Sequence, residues 1–191
     1  MWVLHDLGWL ICGIEGTIPC YWLLVHPFIH RWRSARFKFK LLAPLWMLLW
    51  VIAWTLTDPF RHMVLYRAPW TWAISALLWC VSLYMYSHAG RSFSLDRLIG
   101  KHEIHPEQHE QTVVSTGVHG IVRHPVYLGH LCTLLGWSIG TGTVATFAMT
   151  AFAIVTGAIM IPLEERELRQ RFGRDYVDYA TRVPAILPRL W

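Results

Sequence analysis

Gly117-Val118-His119-Gly120-Ile121-Val122-Arg123-His124-Pro125-Val126-Tyr127-Leu128-Gly129 sets a polar Arg-His-Pro-x-Tyr turn directly against a long apolar run. Proline is suited to the first turn of a helix, where its missing N–H would go unused, so a helix is predicted to start at Pro125. The apolar run ends in Glu164-Glu165, followed by Phe172-Gly173-Arg174-Asp175-Tyr176-Val177-Asp178-Tyr179 and then Arg182-Val183-Pro184. Between the two charged clusters, Gly140-Thr141-Gly142 is a connection too short and too uncharged to form a domain. The apolar run therefore reads as a tight antiparallel hairpin. Its two charged ends become neighbours, which brings Arg123-His124-Pro125 close to Glu164-Glu165.

The rest of the chain shares this apolar character. It has 191 residues, 54% of them hydrophobic, and a mean hydropathy of +0.35, more apolar than a soluble domain of this length carries. The expected class is all-α, a polytopic integral membrane protein. Five segments have the length or polarity pattern of spans: Leu7–Ile29, Leu41–Thr57, Trp70–Tyr86, Val126–Gly142 and Thr143–Leu163. None contains Lys or Arg.

All 17 Lys and Arg lie between or after these spans. His30–Lys40 carries five, Asp58–Pro69 two, Ser87–Pro125 four, and the tail from Glu164 six. By the positive-inside rule the N-terminus and Asp58–Pro69 face outward, the other three segments and the C-terminus the cytoplasm. The net charge of +5 is no argument for nucleic acid. Arg31, Arg33, Arg36, Lys38 and Lys40 adjoin a span and interleave with Trp32, Phe37 and Phe39, the pattern of a membrane-lipid anchor. Trp2, Trp9, Trp70 and Trp72 stand where interfacial rings belong. Cys12, Cys20, Cys80 and Cys132 lie within apolar spans without ligand or CxxC spacing, so neither a disulfide framework nor a thiolate metal site is expected. The first span lacks a basic n-region and is interrupted by Glu15 and Pro19, which reads as a retained span rather than a cleaved leader.

Ser87–Pro125 is a 39-residue polar excursion containing Gly90, Gly100, Pro106, Gly117 and Gly120, and a loop that long in a compact protein is usually functional. Beyond Glu164 a helix is predicted to about Phe172, with a break at Gly173 and a short helix across Tyr176–Thr181. Phe172, Tyr176 and Tyr179 form one aromatic face. The pattern fits a lid over a pocket and a helix on lipid headgroups equally. Glu15 is an acidic side chain inside a span, so it should face the bundle interior, in substrate contact or in an interhelical bond. His102, His105 and His109 have metal-like spacing, but Pro106 interrupts the helix that would align them, so no metal is expected. His26 and His130 read as interfacial or hydrogen-bonded side chains. Asp96-Arg97 reads as a loop ion pair.

Thr112-Val113-Val114-Ser115-Thr116-Gly117-Val118-His119, Arg123-His124-Pro125-x-Tyr127-x-Gly129, Glu164-Glu165 and Phe172-Gly173-x-x-Tyr176-x-x-Tyr179-x-x-Arg182-Val183-Pro184 together resemble the isoprenylcysteine carboxyl methyltransferase family and its phospholipid methyltransferase relatives. The resemblance covers roughly the last 80 residues. It implies one membrane-embedded domain over residues 1–191, in which residues 1–86 supply three spans and residues 87–191 bind the cofactor. It also implies S-adenosylmethionine as cofactor, held at the cytoplasmic side, and a lipophilic acceptor entering from the bilayer. The pocket it implies draws on Gln111, Val114, Gly117, His119, His124, Pro125, Tyr127, Leu128, Glu164, Glu165, Tyr176 and Tyr179. Arg123 and Glu165 take the catalytic positions and Arg123 faces the substrate, a contact that the reading of Glu15 from its place in a span leaves open beside an interhelical bond. His119 stands where the family commonly has Tyr, and Gln111 where a His often begins the loop motif.

Methyl transfer suits these residue types. S-adenosylmethionine carries a sulfonium, an ammonium and a carboxylate, so its site benefits from acidic groups for the cations and from Arg, His or backbone N–H for the anion. The attack neutralises the sulfonium, so positioning and exclusion of water outweigh strong acid–base work. A carboxylate acceptor needs no base, whereas an amine must lose a proton. A prenylcysteine-type carboxylate, a phospholipid amine, a thiol and a small hydrophobic metabolite all remain open. An alternative is an NADPH-dependent membrane reductase of the sterol or steroid type, with Arg166, Arg169 and Arg171 on the extra phosphate; another is a non-catalytic membrane binding protein.

Overall fold

The computed structural model describes residues 2–28, 31, 38–92 and 112–189. Seven α-helices run through them: α1 Trp2–Gly16, α2 Ile18–Val25, α3 Lys38–Thr57, α4 Thr71–Ser92, α5 Pro125–Thr141, α6 Val144–Phe172 and α7 Arg174–Arg182. Short 3-10 turns occupy His26–Phe28, Asp58–Phe60 and Gly117–Gly120. Among the described residues there is no strand, only an isolated antiparallel bridge between Val64 and Thr143. Gln111, His102, His105, His109, Asp96 and Arg97 lie outside the described residues.

Among the described residues, three helical stretches are long and apolar enough to cross a membrane: Trp2–Phe28, Leu41–Phe60 and Val144–Phe172. The first is a helix in two pieces. The Thr17 hydroxyl at the joint donates toward the carbonyls of Gly13 (3.0 Å) and Ile14 (2.9 Å), and Pro19 enters the second piece within its first turn. α5 has only 17 residues, and α4 carries Ser75, Ser82 and Tyr86, which lowers its apolar average. Those polar groups are spent on α5. Ser75 donates to the Gly136 carbonyl (2.7 Å) and Ser82 pairs with Thr133 (2.7 Å).

The α4–α5 pairing is the most extensive among the described residues. Its shape follows from residue size. The Trp79 ring lies where a side chain on Gly136 would sit, and Tyr86 fills the same space at Gly129, with a ring carbon 2.7 Å from the Cβ position. Small residues facing large rings let two helices approach closely, as apolar burial alone cannot where the solvent is hydrocarbon.

The expected α5–α6 hairpin is present. Gly142 closes α5 with φ 63°, a left-handed conformation that suits glycine, and its carbonyl accepts the Leu65 amide at 2.8 Å. Hydroxyl pairs join the two helices, Ser138 with Thr150 at 2.8 Å and Thr141 with Thr146 at 3.2 Å. α1 and α2 pack on α5 and α6, and α3 lies at the edge. α6 has 29 residues, about 43 Å of helix against roughly 30 Å of hydrocarbon. Its last turns, Glu164–Phe172, therefore extend past the apolar zone and carry the charged cluster.

Candidate functional site

The site grows from the turn before α5. Gly117, with φ 62°, starts the 3-10 turn Gly117–Gly120. Val118 and Val122 drop into an apolar core with Met85, Ala89, Leu128 and Cys132. That anchoring leaves Arg123 and His124 at the mouth of α5. Their amides are taken by the segment after α7: Arg123 N–H donates to Pro184 O at 2.8 Å and His124 N–H to Ala185 O at 3.0 Å. The Arg123 guanidinium donates through Nη1 to Ala180 O at 3.0 Å and also to Val183 O. A cation thus satisfies the unpaired carbonyls that any helix leaves at its C-terminus.

The other half of the site comes from α6. Glu165 Oε1 accepts from Arg123 Nε at 2.8 Å and from Nη2, with His124 Nε2 at 3.3 Å. Its Oε2 accepts from Arg169 Nη2 at 2.9 Å. Burial raises the Glu165 pKa, but hydrogen bonds from His124 and Arg123 and the charge of Arg123 outweigh it and hold the carboxyl well below the usual carboxylate range. Glu164 differs. Its Oε2 is buried, 3.7 Å from His124 Nδ1, and accepts no hydrogen bond from the described residues. The His124 ring thus stands between two carboxylates, with the centroid of the Tyr127 ring 5.6 Å from its own.

α7 closes the arrangement. Tyr176, Tyr179 and Val183 are buried with Val113, Leu168 and Phe172 around them. The Tyr179 hydroxyl donates to His119 O at 2.6 Å, and burial pushes its pKa up to about 12. The aromatic face therefore packs against the turn, with Tyr176 and Tyr179 both buried.

The structure therefore gathers Arg123, His124, Pro125, Glu164, Glu165, Tyr176 and Tyr179 in one place, with Tyr127 and Gly117 flanking and His119 tied in through its carbonyl. Val114 is half-buried in the extended approach to the turn. Leu128 points into the apolar core. Glu15 stands apart, hydrogen-bonded to Tyr86 and next to His130. Arg169 is paired with Glu165 and Arg171 with Glu167 at 3.8 Å, so two of the three arginines a nucleotide phosphate would need are engaged with carboxylates. Two contributions escape sequence reading: the carbonyls of residues 180–185 that hold the turn, since a carbonyl has no sequence signature, and His130, whose only signal is a histidine inside a span.

Residues 70–175 match the phospholipid methyltransferase family. Protein-S-isoprenylcysteine O-methyltransferase B of Arabidopsis thaliana is 44% identical over 105 residues, 52% of this chain and 48% of that protein. A probable protein-S-isoprenylcysteine O-methyltransferase of Oryza sativa subsp. indica is 37% identical over 105 residues, 52% of this chain and 50% of that protein. Methanethiol S-methyltransferase 2 of Bradyrhizobium diazoefficiens is 44% identical over 78 residues, 37% of this chain and 27% of that protein. The chain spans about half the length of the isoprenylcysteine relatives it matches. No solved structure matches it.

Proposed function

The chain belongs to the phospholipid methyltransferase family, and from that premise we propose that it transfers a methyl group from S-adenosylmethionine to a lipophilic acceptor at the cytoplasmic face of a membrane. The carrying observation is the meeting of Arg123 and His124 with Glu164 and Glu165 beside the buried tyrosines of α7. Five spans are part of the proposal: α4 and α5 accompany the three strongly apolar stretches, their polar groups turned toward each other. The N-terminus then lies outside and the C-terminus inside.

The residues fit the cofactor. A buried carboxylate oxygen without a hydrogen-bond donor is costly unless a ligand supplies one, and Glu164 Oε2 is such an atom. When bound, S-adenosylmethionine supplies a methyl group on an electrophilic sulfonium. Glu164 would take its cationic ammonium. Sequence alone gives Glu165 a contact to the cofactor's cations; with both oxygens engaged by Arg123, His124 and Arg169, its proposed task becomes to hold Arg123 and His124 in place. Tyr176 and Tyr179 exclude water, and Arg123 stands at the reactive edge. Isoprenylcysteine and methanethiol, named in the relatives, are both sulfur compounds of low polarity, which supports an acceptor that comes from the bilayer side.

Ligand binding tests the reading. S-adenosylhomocysteine should bind the detergent-solubilised protein and raise its melting temperature through mass action. A shift with NADPH and none with saturating S-adenosylhomocysteine would overturn it.

A further inference from the structure

One polar cluster lies inside the helical bundle, away from the charged turn. Glu15 of α1, Tyr86 of α4 and His130 of α5 meet there. The Tyr86 hydroxyl is 3.1 Å from Glu15 Oε2 and 2.8 Å from His130 Nδ1, and that nitrogen is 3.0 Å from the same carboxylate oxygen. Three helices have each contributed one polar side chain to a single point. The absence of a side chain on Gly129 makes room for the Tyr86 ring. Ionisable groups at such depth are costly to keep and mark functional positions.

His130 has a second neighbourhood. It lines an apolar cavity of about 200 Å³ between α2, α5 and α6, together with Pro19, Tyr127, Leu134, Gly157 and Met160. Tyr127 and His130, three residues apart, share a face of α5, and the Tyr127 ring also packs by His124. Tyr127 thus borders the cavity and the charged turn, and His130 borders the cavity and the cluster. α6 brings only Ala, Ile, Gly and Met to its wall, so Glu15 and Tyr86 are the titratable groups facing His130, with Tyr127 one helical turn away.

We propose that this cavity receives a small aliphatic thiol and that His130 accepts the proton the thiol loses on methylation. The inference rests on the methyl-transfer reading above and names its acceptor. Glu15 takes the Nδ1–H of His130, which leaves the lone pair on Nε2, and the carboxylate then stabilises the imidazolium that forms. Glu15 and Tyr86 are positioning residues. The thiol S–H bond breaks with its proton passing to Nε2, and the sulfur's electron pair forms the new bond to carbon. The pair of the broken methyl–sulfonium bond stays on the donor's sulfur. A carboxylate acceptor has no proton to lose and would meet Glu15 as a like charge. An ammonium would have to shed its hydration in an apolar chamber. A thiol is neutral until the moment of transfer.

The probe is 1-hexanethiol, with hexanoate as comparison, on the full chain in detergent. Without cofactor, hexanethiol should stabilise the protein thermally, and Gly157→Val, whose new side chain meets only Pro19 at ordinary contact distance and projects into the cavity, should abolish that shift. His130→Gln should keep S-adenosylhomocysteine affinity and lower methyl transfer to hexanethiol at neutral pH about 100-fold or more. Transfer should recover as the pH rises through the thiol's own pKa. Glu15→Gln should give a smaller loss of the same pH form. No thiol stabilisation, preference for hexanoate, or a His130→Gln enzyme with wild-type turnover would each overturn the proposal. Failure of the wild-type chain to bind S-adenosylhomocysteine while hexanethiol still binds would instead strike the methyltransferase reading.

Discussion

Glu165 meets the side chains of Arg123, His124 and Arg169 with two oxygens, whereas its neighbour Glu164 keeps a buried oxygen that accepts no hydrogen bond from the described residues. Adjacent residues of the same type should therefore respond differently to the same change. Glu165→Gln leaves Arg123 with an uncompensated charge in a buried setting and should cost about 3 kcal/mol of stability, read as a lower melting temperature without ligand. Glu164→Gln should leave that melting temperature nearly unchanged and weaken S-adenosylhomocysteine binding, measured by titration. The pH dependence has a definite sign. Glu165 has a folded pKa below its ordinary 4.5, so its contribution is present above that value and fades as pH falls below it. A melting-temperature series from pH 7 to pH 3 should show this fall, and Glu165→Gln should flatten it. Arg123, His124, Glu164 and Glu165 are legible as neighbours in the sequence because the hairpin forces them together. Which carboxylate faces inward is not, because that depends on the α6 helical phase relative to α5.

The α4–α5 pair is held by rings seated over glycines, so its stability depends on volume that is absent. Gly136→Ala puts a methyl group where Trp79 already lies and should destabilise the protein by about 2 kcal/mol, an overpacking effect seen in thermal unfolding. Trp79→Leu in the same chain should recover part of the loss if the clash is its cause. Of the helices, α5, α6 and α7 are readable from Pro125, Gly142 and Gly173, residues that act locally on the backbone. The α4–α5 fit is not, because the complementarity of Trp79 to Gly136 and of Tyr86 to Gly129 belongs to two helices at once and leaves no period in either. The break at Thr17 is only half legible: Pro19 signals an interruption, while the hydroxyl bonds of Thr17 do not show.

For the whole molecule, the split of 15 basic residues against two predicts an orientation. A cysteine placed at Arg189 should be inaccessible to a membrane-impermeant thiol reagent added outside intact cells, and one placed at Arg67 should be labelled. Labelling of position 189 from outside would reverse the topology and put the candidate site on the other face. Membrane class and family are legible because hydrophobic excess and the ordered Arg-His-Pro, Glu-Glu and aromatic motifs survive without any knowledge of packing. The acceptor is not, since an apolar wall is made of residues that also make ordinary lipid-facing helix.

The carbonyls of Pro184 and Ala185 hold the amides of Arg123 and His124, across some sixty positions of chain. During synthesis the hairpin is complete long before those carbonyls exist, so a growing chain passes through a stage in which every apolar helix is made and the turn is still open. On the proposed function, competence for the cofactor would then arrive late and all at once, when translation has passed residue 185 and that stretch has left the ribosome. A premature stop shortly before it would yield a chain that inserts normally and is inert.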